Sequence, residues 1–162
     1  MTIMPFAANE ESIKGLWERI EHLRPQLADS FPSTPLAFVC WAFTSDATSF
    51  EVRDDDGKVV GWFLFTDVVP GDSAWAHVFI WEPEKTDPAE LAYLAKAACG
   101  SMFRTFGLAR INGLTPKTLA HARVFAERVG FKVEGHIRSA LSVGGLRTDA
   151  WLTGLLPEDL QP

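Results

Sequence analysis

Cysteine is scarce. The 162 residues contain only Cys40 and Cys99, far apart and each in apolar surroundings. That is too few for a disulfide framework, and the spacing is wrong for a metal site. Both read as small buried hydrophobes in a reducing compartment, and no metal is expected. Long hydrophobic runs are absent too: none reaches the ~18 residues that cross a bilayer. The N-terminus, Met1 to Ser12, has neither a basic cluster nor a long apolar stretch, so it does not read as a signal peptide. Excess positive charge is also missing. A net charge of −6 argues against a general nucleic-acid surface, which needs a basic face. Only a late group, Arg123, Arg128, Lys132, Arg138 and Arg147, could form a basic strip. Repeats and low-complexity tracts are lacking. A cytoplasmic location is the expectation, with neither a nucleic acid nor a membrane as partner.

What is present is ordinary globular composition, 47% hydrophobic and 22% charged, at a length suited to one domain with a substantial core. Ile3 to Ala7 reads as a short edge strand limited by Pro5. Asn9 is the expected N-cap of a helix whose first turn carries Glu10 and Glu11. Ile13, Leu16, Trp17, Ile20, Leu23 and Leu27 form its apolar stripe, and Pro25 ends or kinks it. After a proline-punctuated loop, Ser30 to Pro35, the run Leu36 to Phe43 fits either a short buried helix or a strand.

An antiparallel meander follows. Thr48 to Arg53 alternates as a strand, Asp54 to Gly57 is a hairpin turn, and Val59 to Val69 is the return strand. Pro70 to Asp72 turns into a third strand, Ala74 to Trp81. It puts Trp75, His77, Phe79 and Trp81 on one face and Ala76, Val78 and Ile80 on the other. Asp87, Pro88 and Glu90 open a helix with the residues of a capping box. Leu91, Leu94, Ala95, Ala98, Met102 and Phe106 are its buried stripe, and Gly107 stops it. Ala109 to Leu114 is a short strand. Thr115 or Pro116 opens a last helix that buries Leu119, Ala122, Phe125 (or Ala126) and Val129 and ends at Gly130. Phe131 to Ser142 and Thr148 to Leu156 are strands joined at Gly144-Gly145. Pro157 to Pro162 reads as a loose tail.

This order of elements resembles the GNAT superfamily of acyl-CoA-dependent N-acyltransferases. The most specific string is Gly130-Phe131-Lys132-Val133-Glu134-Gly135, followed by Arg138, Gly144-Gly145, Asp149 and the apolar close Leu152 to Leu156. It is similar to the branch that acetylates protein N-termini and polyamines. His121 and Arg123 on the helix before Gly130-Phe131 also resemble a pattern in GNAT-like proteins of tailed phages. The likeness implies an α+β (α/β three-layer) domain over residues 1–162, with a mixed, mainly antiparallel twisted sheet of about six to seven strands and helices on both faces. Residues 1–81 would hold the first helix and the meander, and residues 82–156 the cofactor-side elements.

It also implies an activity, the transfer of an acetyl group from acetyl-CoA to a primary amine by direct attack, in a monomer or homodimer. The pantetheine arm would enter where two central strands splay, between the strand ending at Trp81 and the strand Ala109 to Leu114. Backbone amides near Ile80 to Glu82 would hold the thioester oxygen. Cofactor contacts would come from Phe79, Ile80, Trp81, Lys85, Thr86, Asp87, Thr118, Arg123 and Phe125.

Two features depart from the family. The family's phosphate loop is rich in glycine, which lets backbone approach the phosphates; here Glu82 to Glu90 contains none, and holds four acids and one lysine. The family's tyrosine, four residues before the glycine, is Ala126, and the serine of the N-terminal-acetylating branch is Ala122. The remaining proton-relay candidates are His121, His77 and Glu82. Each also reads as an ordinary residue: His77 packed between aromatics, His121 at a core edge, Glu82 a loop acid. The departures imply the alternative of a non-catalytic module that binds a protein partner or serves as a virion component.

Overall fold

The computed structural model describes residues 1–160; Gln161 and Pro162, the end of the expected tail, lie outside the described residues. The strands are β1 (Thr2–Pro5), β2 (Thr48–Arg53), β3 (Val59–Thr66), β4 (Ser73–Ile80), β5 (Arg110–Pro116), β6 (Lys132–Val143) and β7 (Leu146–Leu155). The helices are α1 (Glu10–Leu23), α2 (Pro35–Ala42), α3 (Pro88–Phe106) and α4 (Ala120–Val129). The strands form one seven-stranded sheet in the order β1-β2-β3-β4-β5-β7-β6. Every neighbouring pair is antiparallel except β4–β5.

Helices cover both faces. Leu16 and Ile20 of α1 and Phe38 of α2 pack on Trp62, Leu64 and Phe79. On the other face Leu91, Ala95 and Met102 of α3, with Val129 of α4, pack on Phe63, Phe65 and Ile111. β3 is buried on both faces, so its sequence is a continuous apolar run instead of an alternation.

Capping residues set the helix starts. Asn9 and Ser12 close a reciprocal capping box on α1. Thr34 caps α2 with Pro35 at its first turn, which settles the Leu36 to Phe43 run as helix. Gly107 and Gly130 end α3 and α4 in the left-handed region.

Several expectations need correction. β3 stops at Thr66, because Asp67 takes a positive φ of 49° and the Val68 amide turns to the Asp46 carbonyl. α4 starts at Ala120 and not at Thr115 or Pro116. Thr115 and Pro116 still pair with Trp151 and Ala150, so β5 holds them extended. Cys40 is exposed and only Cys99 is buried. The chain after β7 is anchored through residue 160. Pro157–Leu160 forms a 3-10 turn, the Leu156 amide donates to Asp159, and Lys132 pairs with Asp159 at 2.5 Å.

Gly113 in β5 has a steric reason. A Cβ there would lie 2.7 Å from Thr153 Oγ1, the buried hydroxyl that donates to the Gly113 carbonyl. Gly113→Ala is therefore expected to destabilise the fold by about 1–3 kcal/mol through overpacking, read as a lower midpoint in chemical denaturation. An unchanged midpoint would mean that Thr153 gives way at no cost.

Candidate functional site

β4 and β5 stay paired only from Ser73 to Trp75, opposite Arg110 to Asn112. Beyond that point they part. β4 remains bound to β3 through Ile80, and β5 to β7 through Pro116. The gap opens into a cleft of about 900 Å³. Leu91, Ala95 and Cys99 of α3 line it, as do Ala122, Phe125 and Ala126 of α4.

Strand parity decides which backbone groups face this gap. The Trp81 amide donates to the Val60 carbonyl at 3.3 Å, so Trp81, Phe79 and His77 direct their backbone groups to β3. The amides and carbonyls of Val78 and Ile80 then point the other way, towards β5, where no strand receives them. Within the expected donor set at Ile80 to Glu82, Trp81 is committed to β3, and the Ile80 amide faces the gap.

The cleft continues past the sheet into an aromatic compartment. Phe31 meets Trp41 at a centroid distance of 5.1 Å and Phe79 at 5.9 Å, both edge-on. Trp41 meets His77 at 5.2 Å. Trp81 is fixed by its indole N–H, which donates to the Val59 carbonyl at 2.9 Å. Phe31 sits on the loop after α1, and Asp29 ties that loop down. The Asp29 carboxylate accepts the amides of Gly144 and Gly145, at 2.8 and 2.9 Å, and the Ser142 hydroxyl at 2.5 Å. The Asp29 amide donates to the Ser142 carbonyl at 2.7 Å. The β6–β7 hairpin, which also brings Leu141 to the cleft, is thereby joined to the loop. These bonds, the Ser142 hydroxyl foremost, hold the Asp29 carboxyl below its usual range.

The residues singled out from sequence divide into two groups. His77, Phe79, Ile80, Trp81, Thr86, His121 and Phe125 line the cleft. Glu82, Lys85, Asp87, Thr118 and Arg123 do not. Glu82 pairs with Lys58 at 2.6 Å and Lys85 at 3.2 Å. The Lys58 bond first, then the Lys85 bond, hold it ionised to lower pH than usual, which ill suits a proton relay. Arg123 bonds Glu127 at 3.0 Å and lies over the Trp151 ring at 5.1 Å. Thr118 is exposed in the turn before α4.

The full capping box expected at α3 does not form. Asp87 accepts the Ala89 amide at 2.8 Å, but Glu90 turns to the Met1 amine at 2.5 Å. Two of the four acids around this helix start are therefore charge-paired.

His77 sits in the wall. Its Nε2 is 3.0 Å from the Thr66 hydroxyl, which also lies 3.2 Å from Asp67. Its ring is only partly exposed, and burial pushes its pKa down to about 4, against a smaller opposing pull from Asp67. His77 is thus a neutral imidazole at pH 7 and a weak base. His121 is exposed at the start of α4. Cys99 lines the floor, but burial pushes its thiol up to about 12, so no thiolate nucleophile forms there. The elements that sequence reading missed are His22, Phe31, Trp41 and Leu141, which also line the cleft. Phe31 and Trp41 were visible only as members of a proline-rich loop and an ambiguous apolar run. Among the described residues no cluster of His, Cys, Asp or Glu suits a metal, and no helix is long and apolar enough to cross a membrane.

No family model matches the sequence, and no curated protein matches it. Solved structures do resemble it. The spermidine N-acetyltransferase of Vibrio cholerae in complex with CoA and spermine superposes with a TM-score of 0.80 at 15% identity, covering 98% of this chain and 97% of that one. A chimera of the Vibrio cholerae SpeG enzyme and hSSAT gives 0.78 at 18% identity, over 99% and 98% of the two chains. The chain therefore has the GNAT fold of these acetyltransferases. The phage resemblance rests on sequence pattern alone.

The displaced pKa of His77 has a measurable consequence. Between about pH 4 and 6.5 the unfolded chain binds a proton at this ring that the folded chain does not, so stability rises with pH there. With a folded-state pKa of about 4 the contribution is on the order of 3 kcal/mol, present above pH 6.5 and lost as pH falls towards 4. His77→Gln should flatten this part of the stability–pH curve in denaturant titrations. An unaltered slope would place the neutral imidazole elsewhere.

Proposed function

We propose that this protein is an N-acetyltransferase that passes an acetyl group from acetyl-CoA directly to a primary amine. The observation that carries the reading is the parting of β4 from β5 after three registered pairs. A pantetheine arm carries two amides, and the backbone groups of Val78 and Ile80 offer it a strand edge on which to pair. Phe125 and Ala122 of α4 flank that path, and Thr86 and Pro88 mark the start of α3, where the phosphates would leave the cleft. The likeness to a CoA-bound acetyltransferase supports the same placement.

The chemistry needs little apparatus. A neutral amine attacks the thioester carbonyl, the C–N bond forms, the C–S bond breaks, and the thiolate leaves with a proton that the nitrogen gives up. The Ile80 amide is the candidate donor to the developing oxyanion. Among the cleft histidines His121 is our candidate for the proton relay, since His77 is too weak a base for that task. The other reading is a module without catalysis. It is favoured by one observation, the glycine-free start of α3, where Pro88 contributes no amide and Asp87 occupies that of Ala89.

Acetyl-CoA binding separates the two. At about 100 times its dissociation constant the ligand should stabilise the protein by about 2.7 kcal/mol, seen as a rise in Tm. Ala122→Trp, which fills the cleft, should abolish that rise while leaving the Tm of the free protein near the parent value. No rise at millimolar acetyl-CoA would reject the transferase reading. Where turnover is found, His121→Gln should lower kcat/KM by about 10²-fold; an unchanged kcat/KM would transfer the relay to water.

A further inference from the structure

The chain has 15 Lys and Arg residues and 21 Asp and Glu residues, yet not one lines this cleft. Among the described residues its ionisable side chains are His22, His77, His121 and Cys99, and none of them is a carboxylate. From this absence, and from the aromatic compartment of Phe31, Trp41, Phe79 and Trp81, we infer that the acceptor is a primary amine on an apolar or aromatic body with no second positive charge. The inference rests on the transferase reading and narrows its substrate.

The argument is one of solvation. A polyamine brings several ammonium groups, and each gives up water on entering. A site that takes such a molecule offers carboxylates in exchange. Here none lines the cleft. Glu82 is held by Lys58 and Lys85, and Glu90 by the Met1 amine. The aromatic faces can attract a single cation, but they cannot pair a chain of them.

An amine with an apolar body gains from the same surroundings. Its body displaces water from Phe31, Trp41 and Trp81, whose burial is favourable at about 25 cal/mol per Å². Its nitrogen has only to be neutral to react. Desolvation lowers the pKa of an ammonium group in the same direction that it lowers that of a histidine, so the compartment favours the reactive form. The walls are pre-set for this. Trp81 is pinned to Val59, and the Phe31 loop is pinned through Asp29 to the β6–β7 hairpin. Less ordering is then needed when the substrate arrives.

The test is a substrate comparison with the full chain. 2-Phenylethylamine and spermidine are offered separately with acetyl-CoA, and CoA release is followed with a thiol reagent, corrected for the exposed Cys40. The expected result is a kcat/KM for 2-phenylethylamine at least ten times that for spermidine. Gln26→Glu, an isosteric change on the cleft lining, should shift that ratio towards spermidine by placing a carboxylate there. Equal or better use of spermidine by the parent protein overturns the inference and leaves the transferase reading intact. Acetyl-CoA binding with no turnover of 2-phenylethylamine also overturns the inference alone. Absence of acetyl-CoA binding overturns both.

Discussion

The structure turns on one interruption: β4 and β5 hydrogen-bond over three residues each and then diverge. A parallel pair that parts leaves backbone donors and acceptors without partners, which is tolerable only where water or a ligand can reach them. Each strand keeps its other neighbour, β3 for β4 and β7 for β5, so the sheet survives as two firm halves. α3 runs beneath both halves and supplies an apolar floor from Leu91 to Cys99. Gly113 lets β5 lie close on Thr153, which keeps the second half compact next to the gap. The opening is thus fixed by packing on either side of it.

The mouth of the gap is shaped by a contact between remote parts of the chain. Asp29 follows α1, and the hairpin it binds lies more than a hundred residues later. Three hydrogen bonds accepted by one carboxylate place Phe31 against Trp41 and Phe79 and bring Leu141 to the same cavity. Part of the charge near the cleft is paired: of the four acids around the start of α3, Glu82 is shared by two lysines and Glu90 is bound by the Met1 amine. Their net effect on an anion is smaller than a count of charges would suggest, since paired charges largely cancel at a distance.

Most of the framework was legible in the sequence because it depends on local rules. Asn9 and Asp87 marked helix starts, Gly107 and Gly130 marked helix ends, and Gly57 and Gly144-Gly145 marked turns. The order of elements then sufficed for the fold. What misled was local chemistry overruled by distant partners. Pro116 looks like the first residue of a helix, but its pairing with Ala150 keeps it in β5. Glu90 looks like half of a capping box, but the Met1 amine claims it. Half of the cleft was legible as well, through the alternation of His77 and Phe79 along β4 and of Trp81 just beyond it. Phe31 and Trp41 were not, because no local pattern announces the tether that Asp29 forms.

The small residues of α4 connect these observations to chemistry. Ala122 and Ala126 both line the cleft, at the positions where the sequence resemblance implies a hydroxyl side chain. Alanine there gives room but no proton. A thioester is already activated, and its thiolate is a far better leaving group than an alkoxide, so positioning can carry much of the barrier. For the proposed transfer the remaining requirement is a neutral nitrogen near the carbonyl. A compartment with aromatic walls and no carboxylate meets it by disfavouring the ammonium form, as it disfavours charge on His77. On the proposed reading, alanine at these positions and the absence of acids act in the same direction. On the proposed reading, with His121 as the candidate relay, selection among amines falls on how the nitrogen is desolvated, and the residues that decide this are those that sheathe the cleft and not those that border it with charge.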